Sequence, residues 1–152
     1  MLQTKEKPVI YIGSDHAGYS VKPELKSFLK DKGYDFTDLG TFSEEPYDYP
    51  DIAREVAEKV LERPGCFGVV LCGSGIGVDI AANRIRGIRC ANVRDIQMAE
   101  MARRHNDCNM IALGARDLTV DQMKDFLDKF LNTEFESDQE RHVRRVKKLD
   151  MI

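Results

Sequence analysis

Apolar residues along the chain fall into two alternating patterns. Short runs rich in β-branched residues predict five strands, at 8–14, 34–40, 67–72, 87–93 and 109–115. Between and after them, apolar residues recur every three or four positions and predict helices at 18–32, 51–62, 76–85, 95–105, 119–131 and 137–149. Regular alternation of apolar strands with helices is typical of a parallel sheet covered on both faces.

The pattern therefore predicts a single α/β domain over residues 1–152. We expect three layers, with a five-stranded parallel sheet in the Rossmann-like, flavodoxin-like strand order 2-1-3-4-5, helices on both faces and a basic C-terminal helix. The carboxyl ends of all strands then lie along one edge, where such sheets bind ligands. Residues that directly follow strands are the candidates for a site.

Composition narrows the class of protein. A chain with 42% hydrophobic and 32% charged residues is typical of a globular protein, and it contains neither a long apolar run nor a signal-peptide pattern. We therefore expect a cytoplasmic protein without a membrane segment. The net charge of -3 disfavours nucleic-acid binding, although "RHVRRVKK" at 141–148 leaves a nucleic-acid adaptor as an alternative.

Cysteine and histidine spacing gives no sign of a metal site. The four cysteines form no C-x-x-C pair and the three histidines are scattered, so we expect reduced thiols, no bound metal and no other cofactor.

The most informative segment is "CGSGIG" at 72–77, which joins the third strand to the next helix. Its glycines allow the main chain to approach a ligand and to present amide hydrogens, and the helix dipole adds positive potential. Such a loop can equally be a tight structural turn. Cys72 favours function, because amides and a helix N-terminus stabilise a thiolate that can act as a base. Val78 occupies the position where a cysteine phosphatase needs arginine, and the Gly-Lys-Ser/Thr ending of a nucleotide P-loop is missing.

Other candidates also follow strands or share a helix face. Asp15 and His16 end the first strand, and either could bind a sugar phosphate or simply cap the next turn. His105 closes a helix, where it could merely complement the dipole. Arg141 and Arg145 stand four residues apart, so they share one helix face and can grip a phosphate together. Charged residues on a helix often do no more than face the solvent. The three remaining cysteines are predicted to be buried apolar residues: Cys66, Cys90 and Cys108.

These motifs together resemble the ribose-5-phosphate isomerase B family, which includes the galactose-6-phosphate isomerase subunits. The resemblance runs over nearly the whole chain in the right order. Its motifs are "GSDHAG" at 13–18, "DYP" at 48–50, "CGSGIG" at 72–77, "IAAN" at 80–83, "GIR" at 87–89, "HNDCN" at 105–109, "LGAR" at 113–116 and "RHVRRV" at 141–146.

The resemblance implies a role for each part of the glycine loop. Cys72 would be the base that moves a proton between two carbons of an aldose-ketose pair, because Val78 stands where some relatives have a glutamate base. The loop amides would stabilise the enediolate; they belong to Gly73, Gly75, Ile76 and Gly77. Ser74, which is threonine in many relatives, would take part in ring opening or proton handling, and His105 and Asp15 would be its partners in ring opening.

The resemblance also implies how substrate is held. The phosphate would be bound by His16, Arg116, Arg141 and Arg145, and the sugar by Tyr49 and Asn106. It implies a homodimer with shared active sites, in which His105, Asn106 and Arg116 reach in from the partner subunit; pairing of dimers into tetramers stays open.

The predicted function is isomerisation of ribose 5-phosphate to ribulose 5-phosphate through an enediolate. Isomerisation of a six-carbon sugar phosphate, galactose or allose 6-phosphate, is the alternative with the same chemistry. A non-catalytic sensor of phosphate ligands is the alternative of another class, and it leaves the thiol at Cys72 without a purpose.

Overall fold

The computed structural model describes residues 5–152. Its strands are β1 (Ile10–Ser14), β2 (Phe36–Asp38), β3 (Phe67–Cys72), β4 (Cys90–Asn92) and β5 (Met110–Gly114). Its α-helices are α1 (Lys22–Asp31), α2 (Tyr49–Leu61), α3 (Ile76–Asn83), α4 (Ile96–Arg104), α5 (Val120–Asn132) and α6 (Glu140–Leu149). Every predicted element is found, with ends that differ by a few residues.

All five strands are parallel and form one sheet, which confirms the predicted α/β class. The predicted strand order is wrong at one side, because the order is β2-β1-β3-β5-β4 rather than 2-1-3-4-5. The physical reason lies in strand length and burial. All five residues of β5 are buried, as a strand between two neighbours requires, whereas β4 has three residues and Cys90 alone is buried.

Helices cover both faces of the sheet, and side chains of β3 alternate between the two layers. Val69 and Leu71 point into an apolar cluster formed with residues of α1, α4 and α5. Val70 and Cys72 point into a second cluster, formed with residues of α2 and α3. Because successive residues of a strand face opposite sides, Cys72 ends the strand on the α2/α3 side.

A buried ion pair ties the start of α1 to β2. Lys22 is 2% exposed, and its Nζ lies 2.7 Å from Asp38 Oδ1 and 2.7 Å from the Thr41 carbonyl oxygen. Burial lowers the pKa of Lys22, an effect that the hydrogen bond to Asp38 only partly offsets. Burial alone would raise the pKa of Asp38, but hydrogen bonds from Lys22, the Gly40 amide and Lys26 outweigh it and lower that pKa. The pair therefore fixes the segment that leaves β2 toward the ligand-binding edge.

None of the helices between residues 5 and 152 has both the length and the apolar surface needed to cross a bilayer.

We predict that Lys22→Ala lowers the free energy of unfolding by about 3 kcal/mol, because it removes the buried partner of Asp38 and leaves only the partly exposed Lys26 to pair with that carboxylate. Lys5→Ala is the matched control: it removes an ion pair with Glu134 whose side chains are 85% and 77% exposed. The control should cost less than about 1 kcal/mol. Urea unfolding of both variants measures the difference, and equal losses would contradict a structural role for the buried pair.

Candidate active site

A cleft of about 510 Å³ opens at the carboxyl edge of the sheet. It lies between the segments that follow β1, β3 and β5 and the first turn of α2. Its lining residues are Asp15, Tyr49, Cys72, Gly73, Ser74, Ile76, Gly77, Ile80, Arg116 and Asp117. The structure thus brings together most of the predicted residues of the carboxyl edge.

Cys72 lies at the bottom of this cleft. Its side chain is 5% exposed, yet its Sγ accepts a hydrogen bond of 3.2 Å from the Gly75 amide. The thiol is therefore turned toward the glycine loop, although Cys72 belongs to the α2/α3 apolar cluster. The sulfur faces an amide hydrogen at the start of a helix, the end at which the helix dipole is positive.

The loop owes its shape to Gly75, which precedes α3 with φ of 76°. A Cβ at this position would lie 2.7 Å from Asn92 Oδ1 and 3.0 Å from the Gly114 amide nitrogen. The loop therefore packs directly on the ends of β4 and β5, and only glycine fits there. Within the loop, Ser74 Oγ accepts a hydrogen bond of 3.2 Å from the Ile76 amide.

The other three thiols are buried, as predicted: Cys66, Cys90 and Cys108. Burial raises the pKa of Cys108 to about 12 and raises the pKa of Cys90 well above its ordinary value. Both thiols are held in the neutral form, which leaves them without a role as bases.

Asp15 and His16 are fixed by the main chain around them. Asp15 Oδ1 accepts hydrogen bonds from the amides of Ala17 at 2.9 Å and Gly18 at 3.3 Å, so it caps its own turn while it lines the cleft. His16 Nδ1 accepts a hydrogen bond of 3.1 Å from the Tyr47 amide. A ring that accepts at Nδ1 carries its hydrogen on Nε2, which leaves Nε2 as a donor. Capping and ligand binding are therefore compatible here.

Tyr49 and Arg116 border the loop from opposite sides. The Tyr49 ring packs against Gly77, where a Cβ would lie 2.7 Å from a ring carbon. The Arg116 guanidinium packs against Gly73, where a Cβ would lie 3.2 Å from Arg116 Nη1. The expectation that Arg116 reaches in from a partner subunit is wrong, because Arg116 directly follows β5 and lies beside the loop of its own chain.

Four predicted residues lie at the opposite, amino edge of the sheet: His105, Asn106, Arg141 and Arg145. His105 and Asn106 connect the end of α4 to the start of β5. The two arginines are exposed on α6, which contacts that same connection through stacked rings of His105 and His142, 4.4 Å between centroids. A single chain therefore does not bring these four residues to Cys72.

Two residues of the site were missed from the sequence. Asp117 lines the cleft after β5, and the rule that residues following strands are candidates could have found it. Asn92 lies behind Gly75, and its buried Oδ1 has no hydrogen-bond partner among the described residues. No sequence pattern marks Asn92, because its position depends on the order of β4 and β5.

Comparison with known proteins agrees with this geometry. A family model described as Ribose/Galactose Isomerase matches residues 10–149. The chain belongs to the Ribose/Galactose Isomerase family. The predicted resemblance and the predicted enzyme class, an isomerase, are thus confirmed.

Two solved structures and one further relative are similar to this chain over most of their length. Ribose-5-phosphate isomerase B from Clostridium thermocellum is 45% identical with a TM-score of 0.90, over 94% of this chain and 95% of that chain. A ribose 5-phosphate isomerase from Thermotoga maritima is 41% identical with a TM-score of 0.91, over 97% and 100% of the two chains. Ribose-5-phosphate isomerase B of Mycobacterium leprae is 39% identical over 138 residues, which span 90% of this chain and 85% of that protein.

We predict that Gly75→Ala destabilises the fold by more than Gly65→Ala. Both glycines have left-handed backbones, with φ of 76° and 82°, so alanine costs roughly 1 kcal/mol of strain at either position. A Cβ at Gly65 meets nothing within 4 Å, whereas at Gly75 it overlaps Asn92 and Gly114. The excess loss of unfolding free energy in Gly75→Ala, measured with urea, reports this packing. Equal losses would mean that the loop is free to move away from β4 and β5.

Proposed function

We propose that this protein converts ribose 5-phosphate to ribulose 5-phosphate, with Cys72 as the base. The observation that carries the proposal is the Cys72 Sγ at the bottom of the cleft, with the Gly75 amide 3.2 Å away. Relatives named ribose-5-phosphate isomerase B, at 39% and 45% identity over most of their length, support the substrate.

The chemical step moves one proton between neighbouring carbons. The Cys72 thiolate removes the proton from C2 of the open-chain aldose, and the C2–H electrons form the enediolate double bond as the C1 carbonyl oxygen becomes an oxyanion. The thiol returns the proton to C1 as the double-bond electrons form the new C1–H bond. The C2 hydroxyl gives its proton to the C1 oxyanion, which leaves the C2 carbonyl and the C1 hydroxyl of the ketose. General acid-base transfer of this kind contributes about 100- to 10,000-fold to a rate.

Stabilisation of the oxyanion is assigned to the glycine loop. Gly77 and Val78 stand at the first turn of α3, where amides have no partner further back in the helix. Their hydrogens and the helix dipole favour negative charge at this end of the cleft. A single such donor in other enzymes is worth about 2.7–4 kcal/mol, so the loop matters as much as the base.

Ring opening and part of the phosphate binding are assigned to residues of two chains. We infer a homodimer in which the amino edge of one subunit, with His105 and Asn106, meets the carboxyl edge of the other. Asp15 and Ser74 would complete ring opening from the Cys72 side. The phosphate would be held by His16 and Arg116 of one chain and by Arg141 and Arg145 of the other. The exposure of both α6 arginines supports this division, because a free guanidinium can reach a second chain.

The alternative substrates keep the same chemistry. A six-carbon sugar phosphate has one more carbon between the reacting centre and the phosphate, so it would need a longer distance from the glycine loop to the arginines.

A phosphate sensor would need the amides and the arginines but no thiol directed at the loop. The contact between the Gly75 amide and Cys72 Sγ disfavours this alternative.

We predict that Cys72→Ala lowers kcat/KM for ribose 5-phosphate by at least about 100-fold, because the base is lost. Cys66→Ala is the matched control: that thiol is equally buried at 5% exposure but precedes β3 at the opposite edge. The control should keep turnover near that of the unaltered protein. Coupled assays with ribose, allose and galactose phosphates give the values. Activity in Cys72→Ala would show that Cys72 is not the base. Faster turnover of a hexose phosphate by the unaltered protein would favour the alternative substrate.

Substituting Arg141 or Arg145 by Ala should raise KM several-fold more than it lowers kcat. Each arginine is expected to bind the phosphate equally strongly in the bound substrate and in the transition state. Arg144→Ala, on the same exposed helix between them, is the matched control and should leave both constants nearly unchanged. Initial rates at varied substrate concentration separate the two constants. Unchanged KM in both variants would mean that the phosphate is bound elsewhere.

A further inference from the structure

Three side chains converge beside the proposed ring-opening residue. Glu136, in the segment between α5 and α6, has its Oε2 3.7 Å from His105 Nε2 and 3.3 Å from His142 Nε2. Its other oxygen, Oε1, accepts a hydrogen bond from Arg104 Nε, and its amide donates to the Arg104 carbonyl oxygen at 3.0 Å. Glu136 is therefore held through both its main chain and its side chain.

The same three residues could be taken for a metal site, since their donor atoms lie within 4.8 Å of one another. Ring geometry argues against it. The imidazoles of His105 and His142 are stacked with an angle of 11° between their planes. A metal ion binds an imidazole along a nitrogen lone pair, which lies in the ring plane. Two stacked parallel rings share no such point, so the two imidazoles are not placed to bind one ion together.

The charges in the cluster are unequal. The hydrogen bond from Arg104 lowers the pKa of Glu136, so its carboxylate is an anion. Burial lowers the pKa of His142, helped by repulsion from His105 and Arg141, so that ring is neutral at neutral pH. His142 is 5% exposed and supplies a flat neutral surface against one face of His105. The side chain of His105 is 40% exposed, so it is held on one side and open on the other.

We propose that Glu136 is a positioning residue for His105, which it holds with the ring hydrogen on Nε2 and the lone pair on Nδ1. This inference rests on the proposed function, in which His105 takes part in ring opening. It goes beyond it by naming the group that sets the tautomer and plane of that imidazole. The arrangement is the carboxylate-histidine pair, in which a fixed anion selects one tautomer of the neighbouring ring.

The tautomer matters because of what ring opening requires. A base takes the proton from the C1 hydroxyl, the bond between C1 and the ring oxygen breaks as the C1 carbonyl forms, and the ring oxygen receives a proton from an acid. With the ring hydrogen on Nε2, which faces Glu136 at 3.7 Å, Nδ1 of His105 is the nitrogen left to take the C1 hydroxyl proton. The positive charge that then develops faces the carboxylate.

Glu136→Gln gives a sharp test, because Arg104 can only donate. The amide oxygen of the glutamine must stay with Arg104, which turns its NH₂ group toward the histidines. A donor at that place requires a lone pair on Nε2, so the hydrogen of His105 should move to Nδ1. The chain has three histidines, so ¹⁵N NMR at about pH 8.5, where imidazole is neutral, resolves the tautomer of each ring.

The expected result has a structural and a kinetic part. His105 should carry its hydrogen on Nε2 in the unaltered protein and on Nδ1 in Glu136→Gln, and kcat for ribose 5-phosphate should fall about 10-fold or more with KM nearly unchanged. Glu134→Gln is the matched control, because Glu134 is exposed and pairs with Lys5 rather than with a histidine. Thermal unfolding of both variants verifies that the fold is intact.

His105 nitrogen signals that do not change in Glu136→Gln would overturn the proposal, and so would a kcat within about twofold of the unaltered value. The NMR measurement needs no turnover, so it tests whether Glu136 sets the tautomer of His105 even if ribose 5-phosphate is not the substrate. Failure of the proposed function has a different signature, which is turnover that survives Cys72→Ala.

Discussion

The parallel direction of all five strands is the constraint on which the rest of the structure depends. It places every strand-to-helix loop at one edge of the sheet and every helix-to-strand connection at the other. Cys72 and its glycine loop lie at the carboxyl edge, whereas His105 and α6 lie at the amino edge. A fold of this kind separates the proposed base from the proposed ring-opening imidazole within each chain, and so gives a physical reason for two chains to share a site.

The glycine loop reconciles two demands on Cys72. As the last residue of a central strand, it must be buried, and it packs with the α2/α3 cluster. As a base, it must meet substrate. The left-handed backbone of Gly75 turns the chain sharply enough for its amide to reach the sulfur, and the close packing of that glycine on Asn92 and Gly114 fixes the turn. Burial of the strand and presentation of the thiol therefore come from the same few residues.

Local patterns in the sequence predicted the elements and the loop because these depend on neighbouring residues. Apolar spacing located all five strands and six helices, and "CGSGIG" identified the turn that holds Cys72. Strand order could not be read in the same way, since the exchange of β4 and β5 depends on which strand is long and buried enough to lie inside the sheet. The position of Asn92 behind Gly75 follows from that strand order. The approach of Glu136 to His105 follows from the packing of the segment between α5 and α6 against the end of α4. Arg116 was assigned to the correct edge but to the wrong chain.

The central claim is that each active site combines the carboxyl edge of one chain with the amino edge of another. Subunit mixing tests it most directly: Cys72→Ala and His105→Ala chains, each inactive by itself, are unfolded together in equal amounts and refolded. Random pairing makes half of the dimers mixed, and each mixed dimer regains one intact site of two, so about a quarter of the unaltered activity should return. Activity no greater than that of the separately refolded variants would contradict the shared site and place the whole reaction within one chain.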